Sequence, residues 1–130
     1  MEELNNWCFA CGEKNPIGLK LVFHEEEDTY RTTFWPGPEH QGYNNVLHGG
    51  IVSTLLDEVM ARYIYAKGFH AVTAKLEIRF RQPTPIEQNL TITSRVVSKR
   101  RNLYEMEGQI TLPDGTVTAE GKALVAVVEE

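Results

Sequence analysis

Residues 47–68, Leu-His-Gly-Gly-Ile-Val-Ser-Thr-Leu-Leu-Asp-Glu-Val-Met-Ala-Arg-Tyr-Ile-Tyr-Ala-Lys-Gly, constrain the fold more than any other stretch. Apolar doublets recur at Ile51/Val52, Leu55/Leu56, Val59/Met60 and Tyr63/Ile64. A 3.6-residue period gathers such doublets into a broad stripe on one helix. No other stretch carries a helical period of this length, so the chain has one long helix to bury. Gly49 and Gly50 suit its start, where backbone N–H groups lack intrahelical partners and can face a ligand. Gly68 supplies the stop. Asp57 and Glu58 stand two turns into this apolar segment, where a carboxylate must be solvated, paired or used. Either both lie on one polar face with Ser53, Thr54 and Arg62, or Asp57 carries chemistry.

The rest of the chain reads as strands. Residues 19–23 alternate after the turn chemistry of Asn15-Pro16-Ile17-Gly18, and the acidic run of residues 25–28 caps a solvent-facing hairpin before a second strand at Thr29–Phe34. Residues 35–45 are too rich in Pro, Gly and Asn for a regular element, and as a loop they would wall a pocket beside the helix start. Beyond the helix the period changes to 2. Ala74, Leu76, Ile78 and Phe80 alternate with Lys75, Glu77, Arg79 and Arg81 in a third strand. A fourth spans residues 90–97, Lys99-Arg100-Arg101-Asn102 forms a hairpin tip, and a fifth spans residues 103–112. After Pro113-Asp114-Gly115 the last strand places Val117, Ala119, Gly121, Ala123, Val125 and Val127 at every second position. Gly108, Ala119, Gly121 and Ala123 are small enough for a helix to lie close. Two strands, a helix and four strands joined by short turns specify a single α+β domain over residues 1–130: an antiparallel sheet of about six strands curled around one central helix.

A net charge of −5 argues against a general nucleic-acid binder. The basic residues Arg79, Arg81, Lys99, Arg100 and Arg101 suit instead a phosphorylated small molecule. The N-terminus lacks the features of a signal peptide and no segment has the length of a membrane span, so the expected location is the cytoplasm, without membrane association. Cys8 and Cys11 form the only Cys-x-x-Cys. No second such pair or His pair completes a zinc site within one chain, so they read as structural cysteines around a turn, with zinc shared between chains or a disulfide as the alternatives and no metal site expected.

Gly49 and Asp57 are eight residues apart, roughly 12 Å along a helix axis. A backbone donor and an activating acid must both lie within about 3 Å of the reacting atoms, so the two cannot serve one carbonyl from the same helix. Two antiparallel helices related by a twofold axis bring Gly49 of one chain to Asp57 of the other. Any catalytic reading therefore requires an isologous homodimer with two equivalent sites at the subunit interface.

His48-Gly49-Gly50 followed by Asp57, then Val72-Thr73-Ala74-Lys75-Leu76 and Arg81-Gln82-Pro83-Thr84-Pro85, resembles the hot-dog-fold acyl-CoA thioesterases of the phenylacetate-pathway and mammalian thioesterase-superfamily type. The opening Cys8-Phe9-Ala10-Cys11-Gly12-Glu13-Lys14-Asn15-Pro16-Ile17-Gly18-Leu19 is similar to the lead-in of the same group. The resemblance implies a hot-dog fold, hydrolysis of acyl-CoA without metal or organic cofactor, and dimers or dimers of dimers. It assigns carbonyl polarisation to the Gly49 N–H, the role of general base or nucleophile to Asp57, positioning of water or acid to Thr73, and loop orientation to His48. Substrate contacts fall to Asn45, Gly50, Arg81, Lys99, Arg100 and Arg101. One departure is Gly42, where phenylacetate-type relatives often carry an Asn; Asn44 or Asn45 is the nearby substitute. Two rival readings are a hydratase or dehydratase of the same fold, pairing His40 or His48 with Asp57 or Glu58, and a non-catalytic acyl-CoA-binding domain. With no Gly-x-Ser-x-Gly, a serine nucleophile is not expected.

Overall fold

The structure is a computed structural model and describes residues 6–128. The opening residues 1–5, on which the signal-peptide reading partly rests, lie outside the described residues. The helix α1 runs Gly49–Ala66, and its stripe is the buried set Val52, Leu55, Leu56, Val59, Met60, Tyr63 and Ile64. Each such side chain withdrawn from water contributes about 1.5–3 kcal/mol before entropy is counted. The last turn is closed by Gly68, whose φ of +101° is the left-handed conformation open to glycine. No described helix is long and apolar enough to cross a membrane.

Six strands follow chain order: β1 (His24–Glu26), β2 (Thr29–Phe34), β3 (Ala71–Phe80), β4 (Leu90–Arg100), β5 (Leu103–Thr111) and β6 (Val117–Val127). They form one antiparallel sheet in the order β1-β2-β4-β5-β6-β3; α1 packs against β2 to β6, and its Tyr63 hydroxyl donates to Glu25 Oε2 of β1 at 2.8 Å. The small residues act as expected. A Cβ on Gly121 would meet Met60 Cε at 3.0 Å, and one on Gly108 would meet the Thr93 carbonyl oxygen at 3.0 Å, so the helix crowds Gly121 and the neighbouring strand crowds Gly108.

Three expectations need correction. The first strand is not at residues 19–23. Lys20 has a φ of +56°, which breaks the extended run, and the N–H groups of Leu19 and Leu21 donate to Phe9 and Ala10 carbonyls instead of a sheet neighbour. The strand forms at His24–Glu26, so Glu25 and Glu26 belong to β1 and only Glu27-Asp28 make the turn. The loop of residues 35–45 contains one 3₁₀ turn, Pro38–His40, closed by a bond from the Gly37 N–H to His40 Nδ1 (2.9 Å).

The third correction positions the site. Ala74 was expected on the apolar face of β3, but the pairing with β6 slips between Thr73 and Lys75. A β-bulge adds one residue and reverses the parity of everything before it. Leu76, Ile78 and Phe80 keep the helix-side face, and it is Thr73, not Ala74, that shares it.

Candidate active site

The start of α1 is built by two histidine caps. His48 is the N-cap, and its Nδ1 accepts the Gly50 N–H at 2.9 Å. Its own N–H donates to the His40 carbonyl, which ties the helix start to the 3₁₀ turn. With Gly50 used in this way, the Gly49 N–H has no acceptor among the described residues. It lies at the positive end of the helix dipole, where an anionic oxygen is favoured. An open cleft of about 640 Å³ adjoins it, with Tyr43, Val46, Val52, Phe80 and Pro83 among its walls. Phe80 touches the position a Gly49 Cβ would take, at 3.6 Å. The sequence did not mark Phe80, although its place at the end of an alternating strand offered a signal. Neither Asp57 nor Thr73 lines this cleft.

Two turns along α1, half-buried Asp57 accepts a 2.6 Å hydrogen bond at Oδ1 from Thr73 Oγ1. The bulge in β3 makes this bond geometrically available. One carboxylate oxygen is thus oriented by a strand hydroxyl and the other carries no protein donor among the described residues. The resemblance gave Thr73 a role on water or on the acid, and here its hydroxyl bonds the acid.

Glu58 departs from the polar-face reading. It turns toward the N-terminal segment, where Cys8 Sγ donates to its Oε2 at 3.8 Å and Cys11 completes a cluster with donor atoms within 4.8 Å of one another. Burial pushes the Glu58 carboxyl up, opposed by hydrogen bonding from Cys11 and by the Arg62 charge. Burial, and then the Glu58 charge, also push the Cys11 thiol up.

The remaining predicted contacts scatter. Arg81 is tied to its own sheet, with Nε and Nη2 donating to Glu120 Oε1 at 3.2 and 2.8 Å. Lys99, Arg100 and Arg101 stand exposed on the β4–β5 hairpin, with Lys99 Nζ over the Tyr104 ring. That tip lies by Val127 and the start of β3, at the end of the sheet opposite Phe80 and Gly49. Exposed Asn45 has a φ of +67°, a turn conformation that Asn tolerates, and its N–H donates to Gln41 Oε1. A Cβ on Gly42 would meet His48 at ordinary contact distance.

A helix sheathed by one antiparallel sheet, with a spare N–H at its start and an oriented acid two turns on, defines the class: a hot-dog protein. The thioesterase superfamily model matches residues 44–119, and the chain belongs to that superfamily. It is similar to the acyl-coenzyme A thioesterase THEM4 of Bos taurus, 31% identical over 90 residues, covering 68% of this chain and 37% of that protein. Mouse acyl-coenzyme A thioesterase THEM5 is 32% identical over 66 residues, 51% of this chain and 27% of that protein. The match thus spans little more than a third of the length of THEM4 and about a quarter of THEM5. Among solved structures, the thioesterase superfamily protein RHA08564 superposes with a TM-score of 0.87 at 27% identity, over 95% of this chain and 61% of that one. The BH2602 protein of Bacillus halodurans, crystallised with CoA, superposes with a TM-score of 0.76 at 26% identity, over 86% and 76%.

Proposed function

We propose that the chain is an acyl-CoA thioesterase whose site is composed across a homodimer. The observation that carries this reading is the Asp57 carboxylate held by Thr73 beside a free sheet edge, two turns from an unused N–H at Gly49. The superfamily, the activity named for THEM4 and THEM5 and the CoA bound to the Bacillus halodurans protein support the substrate class.

The two sheet edges differ in what they invite. β1 is three residues long and carries two glutamates, features that discourage pairing. β3 is ten residues long, pairs only with β6, and exposes Val72, Leu76 and Phe80. A second β3 across a twofold axis covers that edge and sets the two helices antiparallel. Gly49 of each chain then approaches Asp57 of the other, and the basic hairpin of one chain approaches the helix start of its partner, where it serves the CoA phosphates.

In the reaction, the thioester carbonyl oxygen accepts the Gly49 N–H. Asp57 takes a proton from water, whose oxygen attacks the carbonyl carbon. The tetrahedral oxyanion collapses, the C–S bond breaks, and the CoA thiolate receives the proton. Direct attack by the carboxylate is the alternative route, giving a mixed anhydride that water then cleaves. Rapid-quench trapping in a single turnover separates them, because only the anhydride route places the acyl group covalently on Asp57. In the rival hydratase reading His40 or His48 would move protons through Nε2, because Nδ1 of each accepts a backbone N–H, from Gly37 and Gly50 respectively.

A thiol-release screen across short, long and aromatic acyl-CoAs tests the reading. At least one substrate should turn over in the wild type and not in Asp57→Ala. Absence of thiol release from every acyl class by a folded dimer would overturn it.

A further inference from the structure

Outside this site, two thiols and a carboxylate distant in sequence converge on one point. Cys8 and Cys11 lie on the irregular N-terminal segment and Glu58 on α1, and their donor atoms lie within 4.8 Å of one another. The Cys8-Phe9-Ala10-Cys11-Gly12 turn is closed by a 2.8 Å bond from the Gly12 N–H to the Cys8 carbonyl. All three ligand residues are half-buried. We propose that Cys8, Cys11 and Glu58 bind one divalent ion of the zinc type, with a fourth position left to water.

The geometry is close to what such an ion needs. Tetrahedral zinc with Zn–S bonds of about 2.3 Å holds its sulfurs about 3.8 Å apart. A sulfur and a carboxylate oxygen on such an ion are about 3.5 Å apart; Cys8 Sγ and Glu58 Oε2 are 3.8 Å apart, and no pair in the cluster exceeds 4.8 Å. Two thiolates beside a carboxylate favour zinc over magnesium or calcium, which take oxygen ligands. Charge supports the same assignment. Three anionic ligands and a dication leave one negative charge, and Arg62, one turn beyond Glu58, supplies a guanidinium whose buried Nε has no acceptor among the described residues. The ion would pin the N-terminal segment to α1. That segment has no helix or strand between residues 6 and 23 and is held by a few backbone bonds and by Ala10, Leu19 and Leu21 in the core.

The test is a titration of the full chain, reduced and stripped with chelator, using Co²⁺ as the probe. The expected result is one Co²⁺ per chain, a thiolate-to-cobalt charge-transfer band, the intense visible absorption of a tetrahedral site, and displacement by stoichiometric Zn²⁺. Cys8→Ser and Cys11→Ser, each left with one thiolate, should bind more weakly and at least halve the charge-transfer intensity, and the double variant should lose the band. Glu58→Gln, the most conservative change, should retain the band but bind about tenfold more weakly or worse, with far-UV circular dichroism verifying its fold. No charge-transfer band in the folded, reduced wild type would overturn the proposal. So would binding unaltered in a folded Cys8→Ser or Glu58→Gln protein, or recovery of a Cys8–Cys11 disulfide from protein purified with Zn²⁺.

Discussion

Asp57 and Glu58 are neighbours on one helix, about 100° apart around its axis, and that rotation sends them into different chemistry. Asp57 faces β3 at the sheet's free edge, where a threonine orients one oxygen and leaves the other available. Glu58 faces the N-terminal segment and two thiols, in surroundings that push its carboxyl up. An acid's use is thus set by which element covers its side of the helix, not by its place in an apolar run. A strand edge that a second subunit can cover leaves room for a substrate between chains; a loop packed on the same chain does not.

The largest expected effect is on Asp57. Asp57→Ala should lower kcat/KM by about 10²–10⁴-fold with circular dichroism and sedimentation unchanged, and retained turnover would remove the acid from the mechanism. Gly49→Pro comes next. From the sequence this change would seem to disturb the helix, but Gly49 is the first helical residue, where proline is well tolerated. The preceding His48 has φ −58° and ψ 134°, the conformation a residue before proline prefers. The substitution therefore deletes the N–H donor without breaking the helix start, its ring carbons lying against Phe80 at ordinary contact distance, and kcat should fall by about 10²–10³-fold in a protein with a near-normal melting temperature. Thr73→Ala should cost about tenfold in kcat, with Thr73→Ser restoring most of it; equal losses in both would mean that the bulge, not the hydroxyl, matters. Glu58→Gln should act least on turnover, and its signature should be loss of the zinc-dependent part of the melting temperature. A collapse of kcat like that of Asp57→Ala, with stability untouched, would reverse the comparison between the two acids.

The helix and its bounds were legible because doublets at four-residue spacing and a glycine stop leave one periodic solution. Five strands were legible from alternation or from aromatic and β-branched runs bounded by turn residues, and the inward small residues of β6 from their two-residue spacing. The first strand was misplaced because one left-handed residue, Lys20, diverts an alternating run that still looks extended. The bulge at Ala74 was invisible, since one added residue leaves composition and turn signals intact while exchanging the faces before it. The Asp57–Thr73 pairing came from resemblance, and β3 alternation alone would have placed Thr73 on the wrong side. The meeting of Glu58 with Cys8 and Cys11 was also beyond reach, because an irregular segment is positioned by tertiary packing and has no period. Arg81 read as a ligand for phosphate only because its partner Glu120 lies on another strand.

Subunit complementation tests most directly the claim that donor and acid come from different chains. A purified heterodimer of one Gly49→Pro chain and one Asp57→Ala chain carries both defects in one site and neither in the other, if the sites are composite. It should then recover about half of the wild-type activity, although each homodimer is nearly inactive. A heterodimer as inactive as its two parents would contradict the account, because it would mean that Gly49 and Asp57 act within the same chain.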